Sequence, residues 1–153
     1  MRKNLKVYIL FIGITVLSGI LGGLIAGGTE IYEFIEKPPL APPPILFPIV
    51  WTILYVLMGI AAARVYLSKD LDSSSALKFY WLQLAVNILW PLIFFGFKLY
   101  AFAAIWLLIL IVLIIITTVK FFRIDKVAGI LMLPYLAWCL FALYLNFSIA
   151  VLN

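Results

Sequence analysis

One short stretch of the sequence combines residue types that can do chemistry with residues suited to lipid. The segment "NILWPLIFF", residues 87–95, contains an amide (Asn87), an indole (Trp90) and a proline (Pro91). An unpaired amide in hydrocarbon is costly, so Asn87 should face the interior of a protein. An indole offers a flat stacking surface and one N–H donor. We therefore ask what Asn87 and Trp90 face.

Two further segments repeat this combination at helical spacing. Each has residues three or four positions apart that share one face of a helix. The three stripes are Trp51, Tyr55, Met58 and Ala62; Gln83, Asn87, Trp90 and Phe94; and Pro134, Trp138, Ala142 and Asn146. An aromatic belt at the membrane surface explains Trp81, but it explains the more deeply placed indoles less well. Helix packing, a channel and a ligand pocket all remain open at this point.

The residue types that are missing exclude several kinds of chemistry. The chain has no histidine, which removes the usual general base, the usual zinc and haem ligand, and any Ser-His or Cys-His pair. All acidic residues fall in connecting segments: Glu30, Glu33, Glu36, Asp70, Asp72 and Asp125. Proton-coupled pumps and voltage sensors need ionisable groups within their spans, so the sequence disfavours both. We expect no metal site and no required cofactor.

The composition and the apolar runs of the chain predict the helices that carry these stripes. Of the 153 residues, 67% are hydrophobic and 11% are charged, which is typical of a membrane protein. Five apolar runs are long enough to cross a bilayer as helices. They cover residues 7–26, 45–67, 76–97, 101–119 and 127–151. The fold class is therefore an all-α integral membrane bundle of five helices, with residues 1–153 as one domain; a cleaved signal peptide is the less favoured interpretation of the first run.

The basic residues predict the orientation of the bundle. Arg2, Lys3, Lys6, Arg64, Lys69, Lys78, Lys120, Arg123 and Lys126 would lie on one side, and Lys37 and Lys98 on the other. The positive-inside rule then places the N-terminus in the cytoplasm. This bias accounts for the net charge of +5 without a nucleic-acid partner. The chain has one cysteine, Cys139, so no disulfide is expected.

Small residues recur every four positions in the first helix, at Ser18, Gly22 and Ala26. Such spacing lets a second backbone approach closely. Packing within the bundle is the favoured interpretation, and a dimer interface or a ligand-facing wall are the alternatives.

The loop at residues 27–44 carries five prolines between Pro38 and Pro44 and is therefore stiff. We predict that it is a lid over the non-cytoplasmic face, with a rigid connector as the alternative. Thr29 is predicted to cap a short helix within it.

The fourth helix, nearly pure Leu, Ile and Val, is predicted to face lipid. Only Phe102 and Trp106 near its start would reach a cavity. The stripes together favour an aromatic-lined pocket for a flat apolar ligand.

Three motifs carry a family resemblance. They are "KPPLAPPPILFPIVWTILYVLMG", "YWLQLAVNILWPLIFF" and "LPYLAWCLFALYLN", which together resemble the TspO/MBR family, also called translocator protein, peripheral benzodiazepine receptor or tryptophan-rich sensory protein. The resemblance covers residues 32–146. The chain departs from the family pattern at Ile31 and Leu40, where aromatic residues are common. No basic residue follows Tyr144, so sterol binding gains no support.

The resemblance implies a five-helix fold, a homodimer, and a pocket for porphyrins and for benzodiazepine or isoquinoline-carboxamide ligands. The pocket residues would be Gly22, Tyr32, Pro42, Trp51, Tyr55, Asn87, Trp90, Phe94, Trp138, Ala142 and Asn146. The leading hypothesis is a receptor or sensor for a tetrapyrrole such as protoporphyrin IX. The alternatives are light-dependent degradation of that porphyrin by Trp51 and Trp138, or transport of a small molecule. We expect membrane lipid as surroundings and a bacterial cell membrane as location.

Overall fold

The computed structural model describes residues 2–27 and 30–153, and of Glu30 and Ile31 it describes the backbone alone. Five long helices make up most of this part of the chain. They are α1 (Arg2–Ile25), α2 (Leu46–Leu67), α3 (Ser73–Pro91), α4 (Tyr100–Ile124) and α5 (Lys126–Leu152). Each is long and apolar enough to cross a membrane. The described residues contain no strand, so the predicted all-α fold of five spanning helices is confirmed.

Several helices extend beyond the apolar runs that predicted them. α1 begins at Arg2 and not near residue 7, and α4 continues past residue 119 to Ile124. Hydropathy marks the part of a helix that lies in hydrocarbon, whereas backbone hydrogen bonding continues into the charged ends. The predicted cap, Thr29, lies outside the described residues; beyond it a 3-10 turn spans Glu30–Glu33.

Two prolines near the ends of helices have different effects. Pro48 lies in the first turn of α2, where its missing N–H leaves no hydrogen bond unmade. Pro91 ends α3, and a wider π-helical turn follows at Leu92–Gly96. In that turn the Phe97 backbone N–H donates to the Leu92 carbonyl at 2.8 Å. A π turn of this kind is a common local feature of functional sites.

Contacts between distant segments identify the two ends of the bundle. At one end, Arg64 Nε of α2 lies 2.6 Å from Asp125 Oδ2, at the α4–α5 junction. At the other end, the Asn153 side chain pairs with the Glu36 backbone of the lid loop through bonds of 3.0 and 3.2 Å. The lid therefore lies at the end of the bundle opposite to the Arg64–Asp125 ion pair.

Candidate functional site

A cavity of about 440 Å³ lies in the half of the bundle beneath the lid. Nine of the eleven predicted pocket residues line its wall: Tyr32, Trp51, Tyr55, Asn87, Trp90, Phe94, Trp138, Ala142 and Asn146. They come from the lid loop, α2, the α3 segment with its π turn, and α5. Helical spacing brings them together, because residues three or four apart fall on one face. Ligand binding by these residues stays a prediction.

Two of the eleven residues lie away from the cavity wall. Gly22 is buried against α3, and a methyl group built on it would lie 3.0 Å from the Ile88 carbonyl oxygen. Its place is therefore in helix packing, the favoured of the interpretations of that small-residue stripe. Pro42 is buried and its carbonyl accepts a 2.8 Å hydrogen bond from the Tyr32 hydroxyl. Pro42 thus holds a lining residue without itself lining the cavity.

Eight aromatic side chains line the cavity. The Trp51 and Tyr55 rings stack at a centroid distance of 5.5 Å. Trp90 stacks on Phe94 at 4.9 Å, and Trp138 meets Phe47 edge-on at 6.1 Å. Pairs at these distances stabilise one another beyond the burial of their area, so the rings hold fixed positions around the cavity.

Asn87 is the centre of a buried hydrogen-bond network. Its Oδ1 accepts from the Tyr55 hydroxyl at 2.9 Å, and its Nδ2 donates to the Tyr135 hydroxyl at 2.6 Å. Tyr135 in turn donates to Gln83 Oε1 at 2.7 Å. A primary amide has two donors and two lone pairs, so Asn87 retains one of each for a ligand.

A second polar pair joins α3 to α5. Trp90 Nε1 donates to Asn146 Oδ1 at 3.0 Å, and Asn146 Nδ2 donates to the Tyr100 carbonyl at 2.9 Å. The indole of Trp138 differs, because its Nε1 is buried with no acceptor among the described residues. The polar groups of Trp90 and Asn146 are thus bonded to each other, and the rings of Trp90 and Trp138 line the cavity.

The lid closes over the cavity through Tyr32. Its side chain is 3% exposed, and burial raises the pKa of the phenol, so it stays neutral and able to donate to Pro42. Lys37 Nζ donates to the Tyr32 carbonyl at 2.6 Å and lies 4.8 Å from the centre of its ring. Hydrogen bonds and a cation–ring contact within the loop therefore hold Tyr32 in place.

Several residues of the site were not predicted from the sequence. Tyr135 is fully buried, whereas its neighbour Pro134, placed on the inward stripe, is exposed. That placement was wrong, since the inward face of α5 runs through Tyr135. The prediction for α4 was wrong in part. Leu107 and Leu110 line the cavity, whereas Phe102 and Trp106 do not; the opposite face, with Leu108, Ile109 and Val112, is exposed as predicted. Phe102 is half exposed.

An all-helical bundle with an aromatic, amide-bearing cavity defines the class of protein: a multi-pass membrane protein with a cavity inside its helix bundle. The TspO/MBR family model matches residues 11–152, and the chain belongs to this family.

Curated relatives come from bacteria and animals. A tryptophan-rich protein TspO from Chlorobaculum tepidum is 34% identical over 157 residues, covering 100% of this chain and 99% of that protein. A tryptophan-rich sensory protein from Cereibacter sphaeroides is 42% identical over 124 residues, covering 81% and 77%. The human translocator protein is 34% identical over 127 residues, covering 80% and 74%. The similarity to these three relatives agrees with the family assignment.

Proposed function

We propose that this chain is a receptor-type membrane protein that binds a tetrapyrrole, with protoporphyrin IX as the expected ligand, in the cavity beneath the lid. The observation that carries the proposal is the convergence of three indoles, Trp51, Trp90 and Trp138, on one cavity. Benzodiazepine and isoquinoline-carboxamide molecules are, like a porphyrin, aromatic and largely apolar, so we expect them in the same cavity.

The chemistry of the wall supports this class of ligand. The cavity of about 440 Å³ falls in the ordinary range for small-molecule sites, roughly 300–1,000 Å³. Fixed indole faces favour a planar, polarisable molecule. The free donor and lone pair of Asn87 can each serve one polar substituent at the cavity floor. Ligand affinity should therefore depend on both the rings and this amide.

A titration of purified protein with protoporphyrin IX in the dark, followed by quenching of tryptophan fluorescence, tests the proposal. Asn87→Leu should raise the Kd about tenfold, which corresponds to one lost hydrogen bond of about 1.4 kcal/mol. Tyr135→Phe is the comparison variant, because it removes a partner of Asn87 at a residue outside the cavity wall but keeps the amide, so it should raise the Kd less than Asn87→Leu does. Equal affinities of wild type and Asn87→Leu would remove the amide from the site, and no saturable quenching by wild type would refute the proposal.

A second candidate function is light-dependent oxidation of the bound porphyrin. The supporting observation is that Trp51 lines the cavity and stacks on Tyr55, so its indole can exchange an electron with a photoexcited porphyrin. The terminal oxidant in this proposal is dissolved dioxygen, which is reduced as the porphyrin is oxidised. Such chemistry needs neither histidine nor metal. Illumination of the complex should then generate a new absorption spectrum that Trp51→Phe and Trp138→Phe abolish while dark binding survives. Quenching without a new product would leave the receptor function alone.

We also expect a homodimer in a bacterial cell membrane. The mass of the detergent-solubilised protein by light scattering tests the assembly. Labelling of an introduced cysteine in intact cells tests the sidedness that the basic residues predict.

A further inference from the structure

The cavity reaches the lipid-facing surface of the bundle between α1 and α2. Ile20 and Gly23 of α1 and Thr52 of α2 line the cavity, and all three are exposed. Ile20 is 54% exposed. We interpret these exposed cavity residues as a mouth, which we call the α1–α2 portal and define by these three residues.

Glycine contacts explain why the two helices separate here. Near the other end of the bundle they touch backbone to backbone: a methyl group built on Gly59 would lie 2.6 Å from Ile12 Cα. Further along, the Tyr55 ring fills the space beside Gly19, where a methyl group would lie 2.1 Å from the ring. At Gly23 no described atom lies within 4 Å of a built methyl group. The close contacts between α1 and α2 at Gly59 and Gly19 are thus absent at Gly23, which lines the cavity.

On its other side, α1 stays in contact with α3. A methyl group built on Gly22 would lie 3.0 Å from the Ile88 carbonyl oxygen and 3.3 Å from Ile88 Cα. Gly22 and Gly23 are neighbours and point to different sides of the helix. The opening thus faces α2 and not α3.

The rim of the portal is apolar and lies within the membrane. The Thr52 hydroxyl donates to the Pro48 carbonyl of its own helix at 2.6 Å, so it presents no free donor to lipid. At about 1.5 Å per residue, Ile20 lies about 7–8 Å inside the end of α1, and Thr52 about 9 Å inside the start of α2. Both are at hydrocarbon depth, where an unpaired hydroxyl would be costly.

The route through the lid, in contrast, is closed by several hydrogen bonds. The Tyr32 hydroxyl donates to the Pro42 carbonyl at 2.8 Å, and the Tyr144 hydroxyl of α5 donates to the Pro39 carbonyl at 2.8 Å. The Asn153 amide pairs with both backbone groups of Glu36. Lifting the lid breaks these bonds, whereas passage between α1 and α2 breaks no hydrogen bond among the described residues.

We propose that the ligand enters and leaves sideways, from the bilayer through the α1–α2 portal, while the lid stays closed. This inference rests on the proposed binding function and narrows its ligand class to molecules that first dissolve in hydrocarbon. Tetrapyrroles that stay in water are thereby excluded. The portal residues control the rate of exchange, and the wall residues control affinity.

A stopped-flow experiment measures the exchange directly. Proteoliposomes are mixed with vesicles that carry protoporphyrin IX, and quenching of tryptophan fluorescence gives the association rate constant. Gly23→Leu places a side chain in the open portal and should lower this constant at least tenfold. Gly13→Leu is the matched control, since Gly13 also has no described atom within 4 Å of a built methyl group but lies outside the cavity. Its rate should stay within twofold of wild type.

A second pair approaches the portal from α2. Thr52→Phe should slow association, whereas Ile53→Phe, at an exposed neighbour outside the cavity, should not. Tyr144→Phe loosens the lid and should leave the rate within twofold of wild type. Unchanged rates in both portal variants, or a severalfold faster rate in Tyr144→Phe, would overturn the portal. If either of these results is found while the wild type still binds protoporphyrin IX at equilibrium, the portal alone is refuted. If the wild type does not bind at all, the receptor function is refuted.

Discussion

The Tyr135 hydroxyl of α5 lies 2.6 Å from Nδ2 of Asn87 on α3. The same hydroxyl donates to Gln83, one turn earlier on α3, and Asn87 accepts from Tyr55 of α2. All four side chains are almost completely buried. Three helices are therefore joined by polar groups at the floor of the cavity, where an unpaired group would be costly.

Tyr135→Phe should destabilise the protein. It leaves Asn87 Nδ2 and the side-chain oxygen of Gln83 without their partner, and the free energy of unfolding should fall by about 1–3 kcal/mol. Tyr66→Phe is the control, because Tyr66 is 52% exposed and its change should stay within about 0.5 kcal/mol. Denaturation in detergent micelles measures both, and equal stability of the two variants would contradict the network's role.

Much of the fold and part of the site could be predicted from the sequence. Long apolar runs fix the number of helices, because a spanning backbone must satisfy its own hydrogen bonds. Amides in oily stretches identified Asn87 and Asn146 as inward-facing, and both are buried. Indoles at helical spacing from those amides placed Trp51, Trp90 and Trp138 on the cavity wall.

The rest could not be predicted, because lipid and a protein interior select similar residues. Nothing in the sequence distinguishes Leu107 and Leu110, which line the cavity, from the lipid-facing leucines of α4. The choice between Pro134 and Tyr135 depends on the exact rotation of α5, which spacing alone leaves open by about one residue. The portal lies where the close contacts between α1 and α2 at Gly59 and Gly19 end, and these contacts between distant segments cannot be read from the sequence.

Gly59→Ala should weaken the contact between α1 and α2. Its methyl group would meet the Ile12 backbone at 2.6 Å, so one of the helices must shift. We expect a loss of at least 1 kcal/mol of stability from overpacking. Gly13→Ala meets no described atom within 4 Å and should be neutral or stabilising through helix propensity. Thermal unfolding compares the two, and a Gly59→Ala variant as stable as Gly13→Ala would contradict the close packing.

The Arg64–Asp125 ion pair predicts a dependence of stability on pH. The hydrogen bond from Arg64, helped by the Val127 N–H, lowers the pKa of the Asp125 carboxyl below its usual value despite the opposing effect of burial. A group with a lowered folded-state pKa stabilises the protein above its unfolded pKa, about 4, and loses that contribution as pH falls through the folded pKa.

Wild type should therefore exceed Asp125→Asn in stability by up to about 1 kcal/mol at pH 7, since the pair is partly exposed, and the difference should vanish at low pH. Asp125→Ala also removes the cap of α5 and should lose about 1 kcal/mol more. Unfolding of the three proteins between pH 3 and pH 7 checks both statements. A wild-type advantage that grew as pH fell would reverse the sign and contradict the ion pair.

The receptor function is tested most directly by filling the cavity and measuring the Kd of protoporphyrin IX in the dark. Ala142 lines the cavity on α5, whereas Ala137 is exposed on the same helix outside it. Ala142→Phe should raise the Kd at least tenfold, and Ala137→Phe should leave it unchanged. Equal affinities of wild type, Ala142→Phe and Ala137→Phe would contradict tetrapyrrole binding in this cavity.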